Sequence, residues 1–324
     1  MRTLFRVFLP LAAALAFALP TQAQDYPSKV ITLVVPVPPG GAADFIARTV
    51  GQKLQDALGQ PVVISNRGGA SGTIASDNVA KAQPDGYTIL LNSITTHGIG
   101  PHLYTSLPYD SVKDFAPIML VAKLPLVMTL AAERPMKSVQ EVIAFSKANP
   151  GKLSFASSGN GGAPHLAGEL FKIVTGTQML HVPYRGSGPA VVDVAAGRID
   201  IMFDAIPSLL PMIQADKLRP LAAASTARNP ILPNVPTFEE LGIRGMDVSL
   251  WYGITGPVAL PQPIVQKLNA ELTKILAMSD VQQAFARQGA LPAGGSPQDF
   301  AAFMRDESAR WGEVVRKNNI KLEQ

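Results

Sequence analysis

The sequence predicts an α/β fold with open, mostly parallel sheets, in a chain long enough for two domains. Segments rich in β-branched residues alternate with segments of helical periodicity, which is the pattern of strand–helix–strand units. Each half of the chain contains a strand that runs into a glycine-rich turn and then a helix. With 324 residues, 47% hydrophobic and 16% charged, the composition is that of a well-packed globular protein.

The N-terminal segment has the three parts of an export signal. Arg2 and Arg6 form a positive region, the apolar stretch VFLPLAAALAFAL follows, and TQA provides a small-residue cleavage signal ending at Ala23. A transmembrane anchor is the alternative, but the apolar stretch is short, is interrupted by prolines and has no positive flank after it. We predict that residues 1–23 are a signal peptide and that the mature chain is periplasmic.

The composition also excludes several partners. Removal of Arg2 and Arg6 lowers the net charge from +4 to +2, which is too small and too dispersed for nucleic-acid binding.

The chain has no cysteine, so it relies on its core instead of disulfides and lacks the acylation site of a lipoprotein. We expect a soluble monomer.

In the first half, the predicted strands are KVITLVVPV, QPVVISN and YTILLNS. Apolar residues recur at helical spacing from Phe45 to Leu58 and stop at Gly59, which predicts a helix between the first two strands. SGTIASDNVAKAQ predicts the next helix, because it ends before the turn signature PDG. This order is typical of a parallel β-α-β-α-β unit.

The second half continues the alternation. APIMLVAKLPLVMTLAA is long enough for two strands and could carry the chain between domains. SVQEVIAFSKANPG predicts a helix capped by Ser138. Four further strands are predicted at KLSFASSG, QMLHVPY, IDIMFDAI and LRPLAAAS. Two amphipathic helices end the chain, in PIVQKLNAELTKILAM and SPQDFAAFMRDESARWGEVVRKN.

Enzyme signatures are missing from the sequence. It has no Gly-x-Ser-x-Gly elbow, Walker A loop, complete Gly-x-Gly-x-x-Gly or His-Glu-x-x-His motif, and no cysteine nucleophile. His97 and His102 are close, but no acidic residue lies at metal-ligand spacing beside them. We therefore predict no catalytic residue, no cofactor and no metal site.

The stretch VVPVPPGGAADFIAR is the first candidate for ligand binding. Gly40 and Gly41 permit positive φ and close approach by a ligand, and the helix that begins near Ala42 offers unpaired N–H groups. No lysine or arginine lies in the turn, which favours one carboxylate over a polyphosphate. Asp44, in the first helical turn, caps the helix or bonds to the loop.

SFASSGNGGAPHLAGELF repeats this arrangement in the second half. Its hydroxyls, amide and N–H groups suit a carboxylate, whereas an ordinary strand-to-helix connection needs fewer small or polar residues. The candidates here are Ser157, Ser158, Gly159, Asn160, Gly161 and His165.

Three other strand ends supply further candidates, because ligands bind at the carboxyl ends of strands in open α/β sheets. An acid at such an end could receive a ligand amine or hydroxyl, or could make a structural bond to the hinge. These candidates are Ser93, Thr95, Thr96, Tyr184, Gly186, Ser187 and Asp204.

Several motifs occur together in order: VPVPPGGAAD, LPYD, SSGNGGAPHLAGELF, HVPYRGSGPA, GRIDIMFD and PIVQKLNAEL. Together they resemble the Bug receptors, the extracytoplasmic solute-binding proteins of tripartite tricarboxylate transporters. The resemblance covers essentially the whole mature chain. It implies a type II periplasmic-binding-protein fold, in which two α/β lobes close on a ligand.

The resemblance also implies the lobes and the partners. Lobe 1 would comprise residues 24–123 and 250–324, and lobe 2 residues 124–249. The ligand would be a small carboxylate, such as a dicarboxylate, an amino acid or an aromatic acid, and a membrane permease would receive it. By match to the family, the two glycine-rich loops hold the carboxylate, and Tyr184, Gly186, Ser187 and Asp204 line the second lobe's side of the cleft.

Two positions depart from the family's pattern. Val37 stands where many relatives have an aromatic residue before the Pro-Gly-Gly, and Gly100 stands where relatives often have asparagine. Two alternative functions remain open at this point. One is a receptor subunit that presents its ligand to a sensor kinase, and the other is a periplasmic hydrolase, which would need a nucleophile–base pair that the sequence does not reveal.

Overall fold

The computed structural model describes residues 26–104, 106–317 and 320. The predicted signal peptide lies outside these residues. Within the described part of the chain, no helix has the length and apolar character needed to cross a membrane.

Strands and helices alternate as the sequence predicts. The first half contains β1 (Ile31–Val35), α1 (Ala42–Leu58), β2 (Val62–Asn66), α2 (Thr73–Ala80), β3 (Thr88–Ser93), a π-helix (Ile94–Ile99), α3 (Gly100–Leu103) and β4 (Phe115–Ala131). The middle contains α4 (Val139–Ala148), β5 (Leu153–Ser157), α5 (Ala163–Thr175), β6 (Met179–Pro183), α6 (Ser187–Ala195), β7 (Ile201–Ala205), α7 (Ile206–Gln214) and β8 (Leu218–Ala224). The last part contains β9 (Ser249–Pro257), α8 (Gln262–Ala277), α9 (Ser279–Arg287), β10 (Leu291–Gly294) and α10 (Pro297–Lys317).

The strand order is β2-β1-β3-β9-β4-β7-β5-β6, with β8 and β10 also paired to β4. The β1–β2, β1–β3, β5–β6 and β5–β7 pairs are parallel. Consequently β1 and β3 end at one edge, as do β5 and β7, and the loops that follow them gather there. The predicted strands are therefore confirmed. The prediction of mostly parallel sheets is wrong, because β4 and β9 run antiparallel to their neighbours and form five antiparallel pairs against these four parallel ones.

Strand β4 connects the two groups of parallel strands. The segment expected to be long enough for two strands forms one strand of 17 residues. Its residues 115–125 run antiparallel to β9, and its residues 126–130 run antiparallel to β7. The register between β4 and β9 shifts after Pro117, which has no N–H to donate to the ladder.

The last helix packs beneath the π-helix that follows β3. The Glu307 carboxylate accepts hydrogen bonds from the indole N–H groups of Trp251 and Trp311, over 3.0 and 3.2 Å. His102 Nε2 lies 2.9 Å from Ser308 Oγ. Both tryptophans are fully buried, so α10 fixes the segment that carries Ser93, Thr95 and Thr96.

Candidate functional site

A cavity of about 220 Å³ lies where β1, β3 and β9 meet the loops after β2 and β5. Pockets for drug-sized ligands usually enclose roughly 300–1,000 Å³, so this cavity suits a smaller molecule. It is lined by Pro36, Val37, Pro38, Ala43, Gly69, Ser71, Gly72, Ser93, Thr95, Thr96, Ser158, Gly159, Asn160, Gly162, Leu250 and Tyr252. Among these lining residues none is charged.

The structure brings part of the candidate set to this cavity. Those at its wall are Val37, Ser93, Thr95, Thr96, Ser158, Gly159 and Asn160. The other candidates lie outside the lining, and they are Gly40, Gly41, Ala42, Asp44, Ser157, Gly161, His165, Tyr184, Gly186, Ser187 and Asp204. Most of these residues outside the lining form hydrogen bonds with the loops that line the cavity or with residues that hold those loops in place.

Three α-helices start at the cavity wall. Ala43 belongs to the first turn of α1, Gly72 precedes α2, and Gly162 precedes α5, and all three residues line the cavity. None of the three helices has a side-chain hydrogen bond at its N-cap. Free N–H groups and the positive ends of these helices therefore face a space without a cationic side chain.

Asp44 holds in place the loop between β1 and α1, residues 36–41, which is the first loop. Its carboxylate accepts the Gly40 N–H over 3.0 Å, Arg48 Nε over 3.0 Å and Asn66 Nδ2 over 3.1 Å. Asn66 also donates to the Val37 carbonyl oxygen over 3.2 Å. The hydrogen bond from Arg48, with those from Gly40 and Asn66, keeps the pKa of Asp44 below its ordinary value. Asp44 thus bonds to the loop instead of lining the cavity.

The loop between β5 and α5, residues 158–162, is the second loop, and it packs against stacked aromatic rings. The rings of His165 and His181 stack with centroids 3.9 Å apart, and Phe155 stacks on His181 at 4.9 Å. The Gly161 N–H donates to His165 Nδ1 over 3.1 Å. His165 therefore supports the turn from below, where the sequence had suggested a ligand contact.

A serine–histidine pair lies under the same loop. Ser157 Oγ is 2.7 Å from His181 Nε2 and 3.0 Å from the Gly159 carbonyl oxygen. The sequence does not reveal this pair, because β5 and β6 bring together residues 24 positions apart. Ser157 is fully buried, and burial lowers the pKa of His181 to about 3, which makes this histidine a weak base.

The loop after β2 forms a third wall that the sequence analysis missed. Gly69, Ser71 and Gly72 all have positive φ, and Ser71 is strained at φ 52 because it carries a side chain. A Cβ on Gly72 would lie 2.6 Å from Thr96 Cγ2 and 2.9 Å from Pro36 Cβ. Sequence reasoning placed Ser71 and Gly72 in the following helix, although their glycine-rich context, RGGASG, indicated a turn.

Three candidates at the other strand ends bond within the protein. The Tyr184 hydroxyl donates to Asp193 over 2.7 Å, and burial together with this bond raises the pKa of Tyr184 to about 12. The Ser187 hydroxyl donates to Asp204 over 2.5 Å, and the Ala205 N–H donates to the same carboxylate over 2.7 Å. Asp204 is only 2% exposed. Its carboxylate thus bonds to residues of the protein and does not line the cavity.

Comparison with known proteins identifies the family. The model of the tripartite tricarboxylate transporter family receptor matches residues 46–320. The chain belongs to this family. It is 39% identical over 311 residues to protein BugT of Bordetella pertussis, covering 96% of this chain and 95% of BugT.

Solved structures of similar proteins share the fold. A Rhodopseudomonas palustris protein solved with adipate is 35% identical, with a TM-score of 0.86 over 92% of this chain and 99% of that one. MatC from the same organism, solved with bound malate, is 33% identical, with a TM-score of 0.81 over 90% of this chain and 100% of MatC. This receptor is therefore a solute-binding protein with the fold of periplasmic binding proteins.

Proposed function

We propose that this receptor captures a small carboxylate in the cavity at the strand ends and delivers it to a tripartite tricarboxylate-type permease. The observation that carries the proposal is the convergence of three helix N-termini on a cavity lined by neutral residues. Such a site binds an anion through oriented N–H dipoles, and its small volume excludes large ligands. The solved relatives with adipate and malate support the same class of ligand.

The mechanism is capture without chemistry. The carboxylate would accept hydrogen bonds from backbone N–H groups and from the hydroxyls of the wall. Exclusion of water strengthens these bonds, because charge–dipole interactions are screened less in a dry site. Ser157 and His181 support the second loop in this account. We therefore infer that the protein is not an enzyme.

The division of the chain and its cellular setting belong to the same proposal. Lobe 1 would comprise residues 24–123 and 250–324, with lobe 2 between them, so that the cavity separates two lobes that close. Export would place the mature protein in the periplasm as a monomer after removal of residues 1–23. The family's association with tripartite transporters supports a membrane partner.

A thermal-shift screen of the mature protein tests the proposed function. The panel contains malate, succinate, adipate, glutamate and benzoate, with an uncharged sugar as the control. A ligand at 100 times its Kd stabilises the folded state by about 2.7 kcal/mol, which raises the midpoint measurably. A midpoint that responds to the sugar and to none of the acids would show that the proposal is wrong.

A further inference from the structure

A hydrogen-bonded network forms part of the cavity wall at the end of β3. Ser93 and Thr96, which both line the cavity, form a reciprocal capping box at the start of the π-helix. The Ser93 N–H donates to Thr96 Oγ1 over 3.2 Å, and the Thr96 N–H donates to Ser93 Oγ. A π-helix is rare and is frequently found at functional sites.

His97 extends this network into the protein interior. Its Nδ1 lies 2.9 Å from Thr96 Oγ1, and its ring packs edge-on against Phe115 with centroids 4.6 Å apart. The side chain is 1% exposed, and no described residue bonds to its Nε2. Burial lowers the pKa of His97 to about 3, so the ring is neutral and carries one N–H.

The single hydroxyl hydrogen of Thr96 is used inside the network in either tautomer of His97. If Nε2 carries the ring hydrogen, Thr96 donates to Nδ1. If Nδ1 carries it, that N–H donates to Thr96 Oγ1, and Thr96 donates to the Ser93 carbonyl oxygen at 3.2 Å. Thr96 therefore has an acceptor for its hydrogen within the network in either tautomer.

The hydroxyl hydrogen of Ser93 remains for the cavity. Ser93 Oγ already accepts the Thr96 N–H. Its described acceptor within the network is Thr96 Oγ1 at 3.4 Å, well beyond the roughly 2.7–2.8 Å of a good O–H···O bond. A ligand carboxylate is a stronger acceptor at a shorter distance.

We propose that His97 is a positioning residue for ligand binding. By holding the Thr96 hydroxyl inside the capping box, it leaves the Ser93 hydroxyl as a donor directed at a ligand carboxylate. His97 acts through Ser93 and does not touch the ligand. The inference rests on the proposed function, because it assigns a donor to the carboxylate at that same site.

A double-mutant cycle tests this dependence. The Kd for the tightest-binding acid of the panel is measured by calorimetry for His97→Phe, Ser93→Ala and the double variant. We expect each single substitution to weaken binding about tenfold, the effect of one hydrogen bond to a charged group. The double variant should bind no more weakly than Ser93→Ala, because His97 acts through the hydroxyl that is already missing. Additive losses, or unchanged binding in His97→Phe, would overturn the proposal.

Two further variants separate positioning from packing. His97→Asn places a polar atom near the position of Nδ1 but leaves a void, so it should bind more tightly than His97→Phe while melting at a lower temperature. Thr96→Val removes the hydroxyl with little change in shape and should lose binding to a similar extent as His97→Phe. If affinity and melting temperature fall in the same order across these variants, His97 has only a structural role.

Failure of the proposed function is distinguishable from failure of this inference. If the wild type binds no acid of the panel, the proposed function fails, and the positioning role fails with it. An unfolding cycle on Thr96→Val and His97→Phe still shows whether the two side chains interact without ligand. If that cycle shows no coupling, the inference is overturned even where the wild type binds an acid.

Discussion

Asp44 shows how a buried residue outside the cavity determines the shape of the wall. Its carboxylate bonds to the Gly40 N–H, to Arg48 and to Asn66 at once. Asn66 in turn holds the carbonyl oxygen of Val37, which lines the cavity. The loop conformation therefore depends on one carboxylate in the first turn of α1.

Substitution of Asp44 by alanine tests this dependence. Asp44→Ala leaves the Gly40 N–H and the Asn66 amide without their acceptor, so the free energy of unfolding should fall by about 1–3 kcal/mol. Binding of the panel acid should weaken, because the first loop loses its anchor. Urea unfolding and calorimetry measure the two effects.

Asp56→Ala provides the matched control, because Asp56 lies on the same helix and is exposed. The control should leave both stability and affinity within error of the wild type. Equal effects of the two substitutions would contradict the role assigned to Asp44.

Asp204 gives the protein a pH-dependent stability. Burial raises its pKa to about 6, and the hydrogen bonds from Ser187 and Ala205 only partly oppose this. An unfolded aspartate titrates near pH 3.9, so between about pH 4 and pH 6 the folded protein binds more protons than the unfolded chain. The contribution of Asp204 to the free energy of unfolding therefore decreases as the pH rises through this window and is level above it.

Asp204→Asn should remove that contribution. Relative to the wild type, the variant should gain stability on the order of 1–3 kcal/mol between about pH 4.5 and pH 7.5. Urea unfolding at both pH values measures the difference, with the exposed Asp306→Asn as a control that should show none. A parallel pH dependence in wild type and Asp204→Asn would contradict the assignment.

Individual residues of the site were only partly predictable from the sequence. Ser93, Thr96 and Ser158 could be found because each lies among polar residues at or just after the end of a buried strand. Leu250 and Tyr252 could not, because β9 reaches the cavity only by pairing with β3 and β4, far away in sequence. The pairing of distant strands brings these two residues to the cavity, and no local sequence pattern indicates it.

At the scale of elements, the packing of α5 on β5 controls the second loop. A Cβ on Gly168 of α5 would lie 2.1 Å from Phe155 Cε2, so the helix can approach the strand only because residue 168 is glycine. Phe155 also stacks on His181, which lies under the turn at Ser157. The position of the loop thus depends on the distance between helix and strand.

Gly168→Ala should therefore destabilise the protein, although alanine is the better helix former. Overpacking against Phe155 should reduce the free energy of unfolding by about 1–3 kcal/mol. Gly188→Ala in α6 is the matched control, since nothing lies within 4 Å of the added Cβ and its φ is not positive. The control should be neutral or stabilise slightly. A neutral Gly168→Ala would contradict the close approach.

Elements with a strong period were predictable, and short elements were not. α1 was recognised from apolar spacing that ends at Gly59, whose left-handed conformation does end the helix. The four-residue β10 was missed because it is too short to show a period, and α9 was missed although Val281 and Phe285 are buried at helical spacing. The π-helix and the strained loop after β2 depend on backbone conformations that composition does not specify.

At the scale of the whole molecule, β4 joins the two groups of parallel strands. One part of β4 pairs with β9 and the other with β7, so a single strand passes between them. The predicted boundaries near residues 124 and 249 fall where the pairing of β4 changes from β9 to β7. We therefore propose that closure bends the chain at β4 and at the start of β9.

The central claim is that neutral N–H and hydroxyl donors at this cavity bind a carboxylate group. Calorimetric titration of the wild-type protein with the best acid of the panel and with its neutral carboxamide tests the claim most directly. The account predicts that the acid binds at least about tenfold more tightly, because bonds to a charged acceptor are stronger than bonds to a neutral one. Equal or tighter binding of the carboxamide would contradict it.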